Sequence, residues 1–148
     1  MTPIKPDQLQ PHPEGGRFQE VFRSTTKVES PQGERSALTH IYFELSQGEK
    51  SRLHRVSSEE VWNLYEGELR LYLYDGTSFD VIELSASNRT FCHIVPAGVW
   101  QAAEAVHGSA LVGCSVGPGF EFEDFDMLKD TPERETFLQQ FPNEKGWV

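Results

Sequence analysis

Short runs of alternating apolar and polar residues recur along the chain, set apart by turn-forming residues. Residues 1–16 are rich in Pro, Gly and Gln and end in His12-Pro13-Glu14-Gly15-Gly16, a composition that excludes a long helix. Arg17–Arg23 predicts a strand with Phe18 and Phe22 on one face. Ser30-Pro31-Gln32-Gly33 reads as a loop, and Leu38–Leu45 and Glu60–Tyr65 as further strands. Gly67 interrupts the pattern. Glu68–Tyr74 then alternates cleanly, with Leu69, Leu71 and Leu73 on one face and Arg70, Tyr72 and Tyr74 on the other. Asp75-Gly76 marks a hairpin turn, because both residues tolerate positive φ. Phe79–Leu84, Thr90–Val95, Trp100–Ala103 and Ser109–Val116 continue the series. Strands and turns at this spacing predict an all-β antiparallel sandwich or barrel, and the absence of βαβ alternation argues against a parallel sheet. One helix is expected near the end, with Thr131 as its cap, Pro132 at its first position, Phe137 and Leu138 on its apolar edge, and Phe141-Pro142 as its stop. The chain thus divides into an N-terminal segment (1–16), a barrel (17–128) and a C-terminal helix and tail (129–148).

Composition narrows the partners. At 148 residues the chain makes one domain with room for a core. Lys and Arg number 13 against 23 Asp and Glu, a net charge of −10 that disfavours nucleic acid and anionic membrane surfaces. No leader-like apolar stretch opens the sequence and no apolar run is long enough to span a bilayer, so the expectation is a cytoplasmic protein. Cys92 and Cys114 read as small buried side chains rather than a disulfide framework. In Phe120-Glu121-Phe122-Glu123-Asp124-Phe125 the aromatics are expected to pack over the barrel while the carboxylates face water.

The stretch richest in chemistry runs from Gly48 to Gly67. Five residues separate Gly48 from His54, and six separate Glu60 from Gly67. A His and a Glu on neighbouring strands, both pointing inward, can share a metal or a substrate proton. Strand parity puts Arg52, His54 and Val56 on one face, and Glu60, Trp62 and Leu64 on one face of the next strand. Arg17 and Arg23 share a face by the same argument.

The spacing resembles the first motif of the cupin superfamily, a Gly, then His-x-His, then Glu, then Gly. Pro96-Ala97-Gly98-Val99-Trp100-Gln101 is similar to the second. Val56 stands where the second metal His belongs, Gln101 where the third belongs, and Ala105 where the motif has Asn. His12-Pro13-Glu14-Gly15-Gly16-Arg17-Phe18, Ile41-Tyr42-Phe43, Ser58-Glu59-Glu60-Val61-Trp62, the Pro96 motif and Gly117-Pro118-Gly119-Phe120-Glu121-Phe122 together resemble the type-five branch, over about residues 7–128. That resemblance implies a cupin jelly-roll β-barrel with a short C-terminal helix, commonly a homodimer, and leaves the reaction open. A divalent metal, if held, would take His54, Glu60 and the amide oxygen of Gln101 as an incomplete and weak set.

A second, looser likeness is to the nucleotide-deoxysugar epimerase cupins, carried by Glu14–Glu20 and by Arg52-Leu53-His54. It implies a small-molecule isomerase with His54 as base, Glu60 holding the imidazole, and Tyr42 or Tyr72 as acid. Arg52 would bind an anionic group of a sugar or keto compound, with Arg17 and Arg23 adding to it. Trp62 and Trp100 either pack in the core or stack on a flat ligand. The rival expectation is a non-catalytic module that holds a small molecule or a metal in the same pocket. His12 either lines the site or fixes a turn, while His40, His93 and His107 read as satisfied or exposed histidines.

Overall fold

The computed structural model describes residues 2–148. Eleven strands carry the fold: β1 (Gln10–Pro11), β2 (Arg17–Arg23), β3 (Lys27–Ser30), β4 (Gly33–Ser36), β5 (Thr39–Leu45), β6 (Lys50–Val56), β7 (Glu59–Tyr74), β8 (Phe79–Leu84), β9 (Cys92–Val95), β10 (Trp100–Gly117) and β11 (Phe125–Met127). One helix, α1 (Glu133–Gln140), follows them, and short 3-10 turns flank it. Every pairing between strands is antiparallel, as an all-β jelly roll requires. Among the described residues no helix is long and apolar enough to cross a membrane.

Two long strands organise the barrel. β7 and β10 pair from Glu59–Gly117 at one end to Tyr74–Trp100 at the other. Each was expected as two separate strands, and each instead runs through its interruption. The register shifts between Val106 and Leu111, where His107 and Gly108 adopt positive φ. Opposite them Gly67 has φ +80°, and a Cβ there would sit 2.2 Å from the Ser109 carbonyl oxygen. Gly67 therefore lets the pair bend rather than end. One half of the bent pair extends into β5, β2, β1 and β9, and the other into β6, β11 and β8. The sheet curls so that its two halves face each other across one core.

That core includes Phe43, Leu45, Trp62, Leu69, Leu71, Leu84, Val95, Ala103, Ala105 and Val112. The bend reverses parity, so inward residues are even-numbered before Gly67 (Glu60, Trp62) and odd-numbered after it (Leu69, Leu71). The inward placement expected for Glu60 and Trp62 holds. A second core lies outside the barrel, where Leu53, Tyr74, Trp100 and Ala102 are covered by Leu128, Phe137 and Trp147. The terminal helix exists to cover that outer face. Pro132 occupies its N-cap position, and the Thr131 hydroxyl donates back to the Leu128 carbonyl instead of capping it.

One further expectation changes, and another becomes specific. A register shift between Glu20 and Phe22 breaks the parity of β2. Phe18 packs against the core while Phe22 is exposed. The predicted loop at Ser30–Gly33 is the turn of the β3–β4 hairpin. Cys114 is buried as expected, whereas Cys92 is exposed.

The His12–Gly16 turn enters the barrel wall closely. Gly15 has φ +108°, and a Cβ on it would lie 2.4 Å from the Lys50 carbonyl oxygen. Gly15→Ala is expected to cost more than ~1 kcal/mol in urea denaturation, since it combines an unfavourable φ with a backbone clash. Gly48→Ala, where φ is +75° but a Cβ meets open space, is the control and is expected to cost less.

Candidate functional site

The site begins with an irregularity in β6. Gln101 pairs with His54 and Ala103 with Ser51, so one residue of β10, Ala102, faces two of β6, Arg52 and Leu53. This bulge at Arg52–Leu53 resets the strand's parity. Ser51 and His54 are both buried, while Arg52 is exposed and Leu53 turns to the outer core. The bulge also frees backbone groups from the ladder. The Arg52 N–H donates to the Glu14 carbonyl at 2.8 Å, and the Arg52 carbonyl accepts from His54 Nδ1 at 2.7 Å.

Those two bonds fix the chemistry of the interior. A carbonyl only accepts, so His54 Nδ1 carries a proton. The other ring nitrogen, Nε2, meets Glu14 Oε2 at 2.5 Å. The Ser51 hydroxyl donates to the same carboxylate oxygen at 2.8 Å. Burial opposes charge on His54, but the Glu14 charge and hydrogen bond, the Glu60 charge and the Arg52 carbonyl together raise its pKa. Burial likewise works against the Glu14 carboxylate, and His54, His12 and Ser51 overcome it and lower its pKa. The pair is an imidazolium and a carboxylate enclosed in the barrel.

Glu60 stands beside this pair with weaker support. Burial, with Glu14 adding repulsion, pushes its carboxyl up to about 7, against the attraction of His54 and the bonds from Gln101 and Cys114. Gln101 Nε2 donates to Glu60 Oε1 at 3.0 Å. The amide orientation is fixed by Trp62, whose Nε1–H can only donate and reaches Gln101 Oε1 at 2.6 Å. Burial and the carboxylates of Glu60 and Glu14 raise the pKa of the Cys114 thiol.

His12 closes the cluster on one side. Its Nδ1 accepts the Glu14 N–H at 3.2 Å and so cannot donate to the Glu14 carboxylate 3.5 Å away. Burial lowers its pKa, opposed by Glu14 and assisted by His54. His12 is therefore neutral, with its proton on Nε2, for which no hydrogen-bond partner occurs among the described residues. Its ring packs edge-on to Phe18 and Phe43 and beside Phe122 and Phe125. The aromatics of the acidic stretch thus cover the barrel mouth, and their neighbours Glu121 and Asp124 pair with Arg23 and Arg35. Beneath them lies a cavity of about 90 Å³, walled by His12, Phe18, Ile41, Cys114, Phe120 and Phe122. Glu20, Arg23 and Glu121 stand at its rim.

Several expected site residues lie elsewhere. The Tyr42 hydroxyl donates to the Ile4 carbonyl outside the barrel. Tyr72 packs on Trp147 and donates to Glu104; burial and that carboxylate push its pKa up to about 12. Trp100 lies in the outer core and donates to Glu133, whereas Trp62 is inside. Arg52 donates to the Gly146 carbonyl. Arg17 binds Glu44 and Glu49, and Arg23 binds Glu20 and Glu121, so the two are held by different carboxylates at opposite ends of β2. The structure brings together His54, Glu60, Gln101 and Trp62, and adds Glu14, Ser51, His12 and Cys114 to them. The sequence signal for Glu14 was the pair of glycines after it, which mark a turn that approaches other backbone closely.

The donors do not fit the divalent metal that the motif resemblance implies. His54 Nε2 faces Glu14, the Gln101 oxygen is taken by Trp62, and Val56 offers no donor. Among the described residues no three His, Cys, Asp or Glu side chains converge as ligands. The chemistry of the cluster is that of protons and hydrogen bonds.

Comparison with known proteins agrees with the architecture. The model of the family described as Cupin superfamily (DUF985) matches residues 2–128. A solved structure of a hypothetical protein from Leishmania major is 28% identical with a TM-score of 0.78, covering 95% of this chain and 90% of that one. A protein of Shewanella oneidensis is 30% identical with a TM-score of 0.77, covering 93% and 87%. A cupin 2 conserved barrel domain protein from Rhodopseudomonas palustris, 13% identical with a TM-score of 0.64 over 100% of this chain and 86% of that one, shares the fold. No curated protein matches the chain.

The raised carboxyl of Glu60 makes stability depend on pH in a defined direction. Between about pH 4.5 and 7 the folded state holds a proton that the unfolded chain releases, so stability falls as pH rises through that window. The loss is on the order of 3 kcal/mol. Urea denaturation from pH 5 to 8 should show this decline in the wild type, with His54 adding to its upper end, and a shallower one in Glu60→Gln.

Proposed function

From the premise that the chain belongs to the cupin superfamily, in the branch described as DUF985, we propose that it binds a small molecule in the mouth of its barrel. The observation that carries this reading is the aromatic-walled cavity beside the buried cluster, with His12 and Cys114 in its wall. The ligand has an apolar body that fits among Phe18, Ile41, Phe120 and Phe122, and a carbonyl oxygen that accepts from His12 Nε2. The rim favours a neutral carbonyl over an anion, because Arg23 already binds both Glu20 and Glu121. An apolar wall with one directed donor is a common plan for a small-ligand pocket.

Isomerisation at the carbon next to that carbonyl is the second reading. It is favoured by one observation: Glu60, whose carboxyl is pushed up to about 7, lies beside Cys114, a residue of the cavity wall. A carboxyl poised near 7 can take or give a proton at physiological pH. His54 does not serve as the base in this reading, because Glu14 and the Arg52 carbonyl engage both of its nitrogens.

The test uses acetone and pyruvate as small carbonyl probes in a heteronuclear NMR titration. Binding should perturb the His12 ring and the amides of Phe18 and Cys114, with acetone tighter than pyruvate. His12→Phe keeps an aromatic ring among its aromatic neighbours and should weaken binding about tenfold, the worth of one directed hydrogen bond. The absence of saturable shifts at these positions with either probe would overturn the binding reading. Solvent deuterium in recovered acetone, lost in Glu60→Gln, would decide for isomerisation.

A further inference from the structure

Outside the barrel, on the other side of the His12–Gly15 turn, lies a groove of about 470 Å³. Gly48, Glu49, Lys50, Arg52, Met127 and Lys129 line it together with the turn. Its charge runs against the composition of the chain. The formal net charge is −10, and Arg17, Arg23, Arg35, Arg55, Arg70 and Arg134 each have a carboxylate within 4.0 Å. The other seven, Lys5, Lys27, Lys50, Arg52, Arg89, Lys129 and Lys145, have no such partner among the described residues, and three of them, Lys50, Arg52 and Lys129, share this groove.

The acids nearby are already committed. The Glu49 carboxylate accepts from Arg17 and from the Ser46 N–H, and Glu14 faces inward to His54. The cations, by contrast, are positioned without being neutralised. Lys50 and Arg52 are two residues apart on the outer side of β6, about 7 Å along the strand. Lys50 Nζ lies 4.3 Å from the centroid of the Trp147 ring, a contact that holds the ammonium and keeps its charge. Arg52 gives one N–H to the Gly146 carbonyl at 2.9 Å. A guanidinium has five donors, so a fork remains for a bidentate acceptor. The C-terminal tail thus holds two cations in place, and Lys129, in the 3-10 turn Leu128–Asp130 that follows β11, lines the same groove.

We propose that this groove is an anion site for a compact phosphate-class anion of two or more charges, bound by the Arg52 guanidinium fork with Lys50 and Lys129 as point charges. The class follows from the donors: a planar fork flanked by two ammonium groups matches tetrahedral phosphate oxygens and more than one negative charge. The site lies across the turn from the barrel cavity and shares only His12 of its lining with that cavity.

The test is a titration of the intact protein with inorganic pyrophosphate at 150 mM NaCl, followed by NMR at the Arg52 Nε–H, the Trp147 indole N–H and the Gly146 and Lys129 amides. Saturable shifts confined to these groups are expected. Affinity should fall at least tenfold in the double variant Arg52→Gln, Lys129→Gln, and remain unchanged in Arg134→Gln, which removes an exposed arginine at the start of α1 that does not line the groove. All three residues substituted are exposed, so the fold should survive, and a thermal melt verifies this. Inorganic phosphate serves as the smaller probe and should bind more weakly at the same groups. Linear, non-saturating shifts, shifts spread over other basic residues, or equal affinity in the double variant would each overturn the proposal.

Discussion

Glu14 and His54 meet inside a β-barrel, where neither could stand charged alone. Removing an ion from water costs several kcal/mol, and only a close partner with its remaining bonds satisfied offsets that. Both conditions are met. Ser51 donates to the carboxylate, and the Arg52 carbonyl accepts the second imidazole proton. The rest of the interior follows from this pair. Burial keeps Glu60 from ionising freely, with repulsion from Glu14 added, so its carboxyl is pushed up to about 7 and it is held by Gln101, which in turn is oriented by Trp62. No fully buried side-chain polar atom lacks a partner among the described residues. A network satisfied to that degree specifies one interior arrangement and resists rearrangement.

Backbone irregularity is what makes the pair possible. A regular β6 would place Arg52 inside with His54, and a third charge would enter the barrel. The bulge at Arg52–Leu53 sends the guanidinium outward, brings Ser51 in, and releases one N–H and one carbonyl to bind the Glu14 segment and the His54 ring. Gly15, in a conformation that an L side chain resists, lets the turn lie against Lys50 closely enough for Glu14 to enter. The same bulge that completes the inner cluster therefore supplies the outer groove with Arg52.

The parts legible in the sequence were those governed by strict period two. The inward set of Glu60 and Trp62 and the alternation of Leu69, Leu71 and Leu73 were readable, and so were the turn at Asp75-Gly76 and the helix around Phe137. Parity arguments failed wherever a bulge intervened. Phe18 and Phe22 part company across the shift in β2, and Arg52 and His54 across the one in β6. Bulges leave little trace in composition, since one extra residue alters no apolar pattern that a short window can detect. Tyr72 was a candidate acid because parity left open which tyrosine faces the pocket, and Trp100 packs, as one of its two readings had it, but in an outer core: the sequence did not reveal that the C-terminal helix would cover the outside as well. Glu14 was missed because it reaches the cluster from a turn distant in sequence.

Burial and charge divide the molecule into two chemically different places on either side of one turn. Inside, the imidazolium and carboxylate cancel, Glu60 sits near neutrality, and the rim arginine is matched by two acids. A ligand entering there meets aromatic faces and one neutral donor, so shape and a single hydrogen bond must select it. Outside, Lys50, Arg52 and Lys129, none with a carboxylate within 4.0 Å among the described residues, share one groove in a chain with ten more negative than positive charges. Long-range attraction toward that groove is weakened by the acidic surroundings and by salt, so binding there must come from close contacts. The guanidinium fork, fixed by Gly146, supplies contacts of that kind. The two places differ in what they can recognise because the turn that carries Glu14 inward leaves Arg52 with no carboxylate of its own.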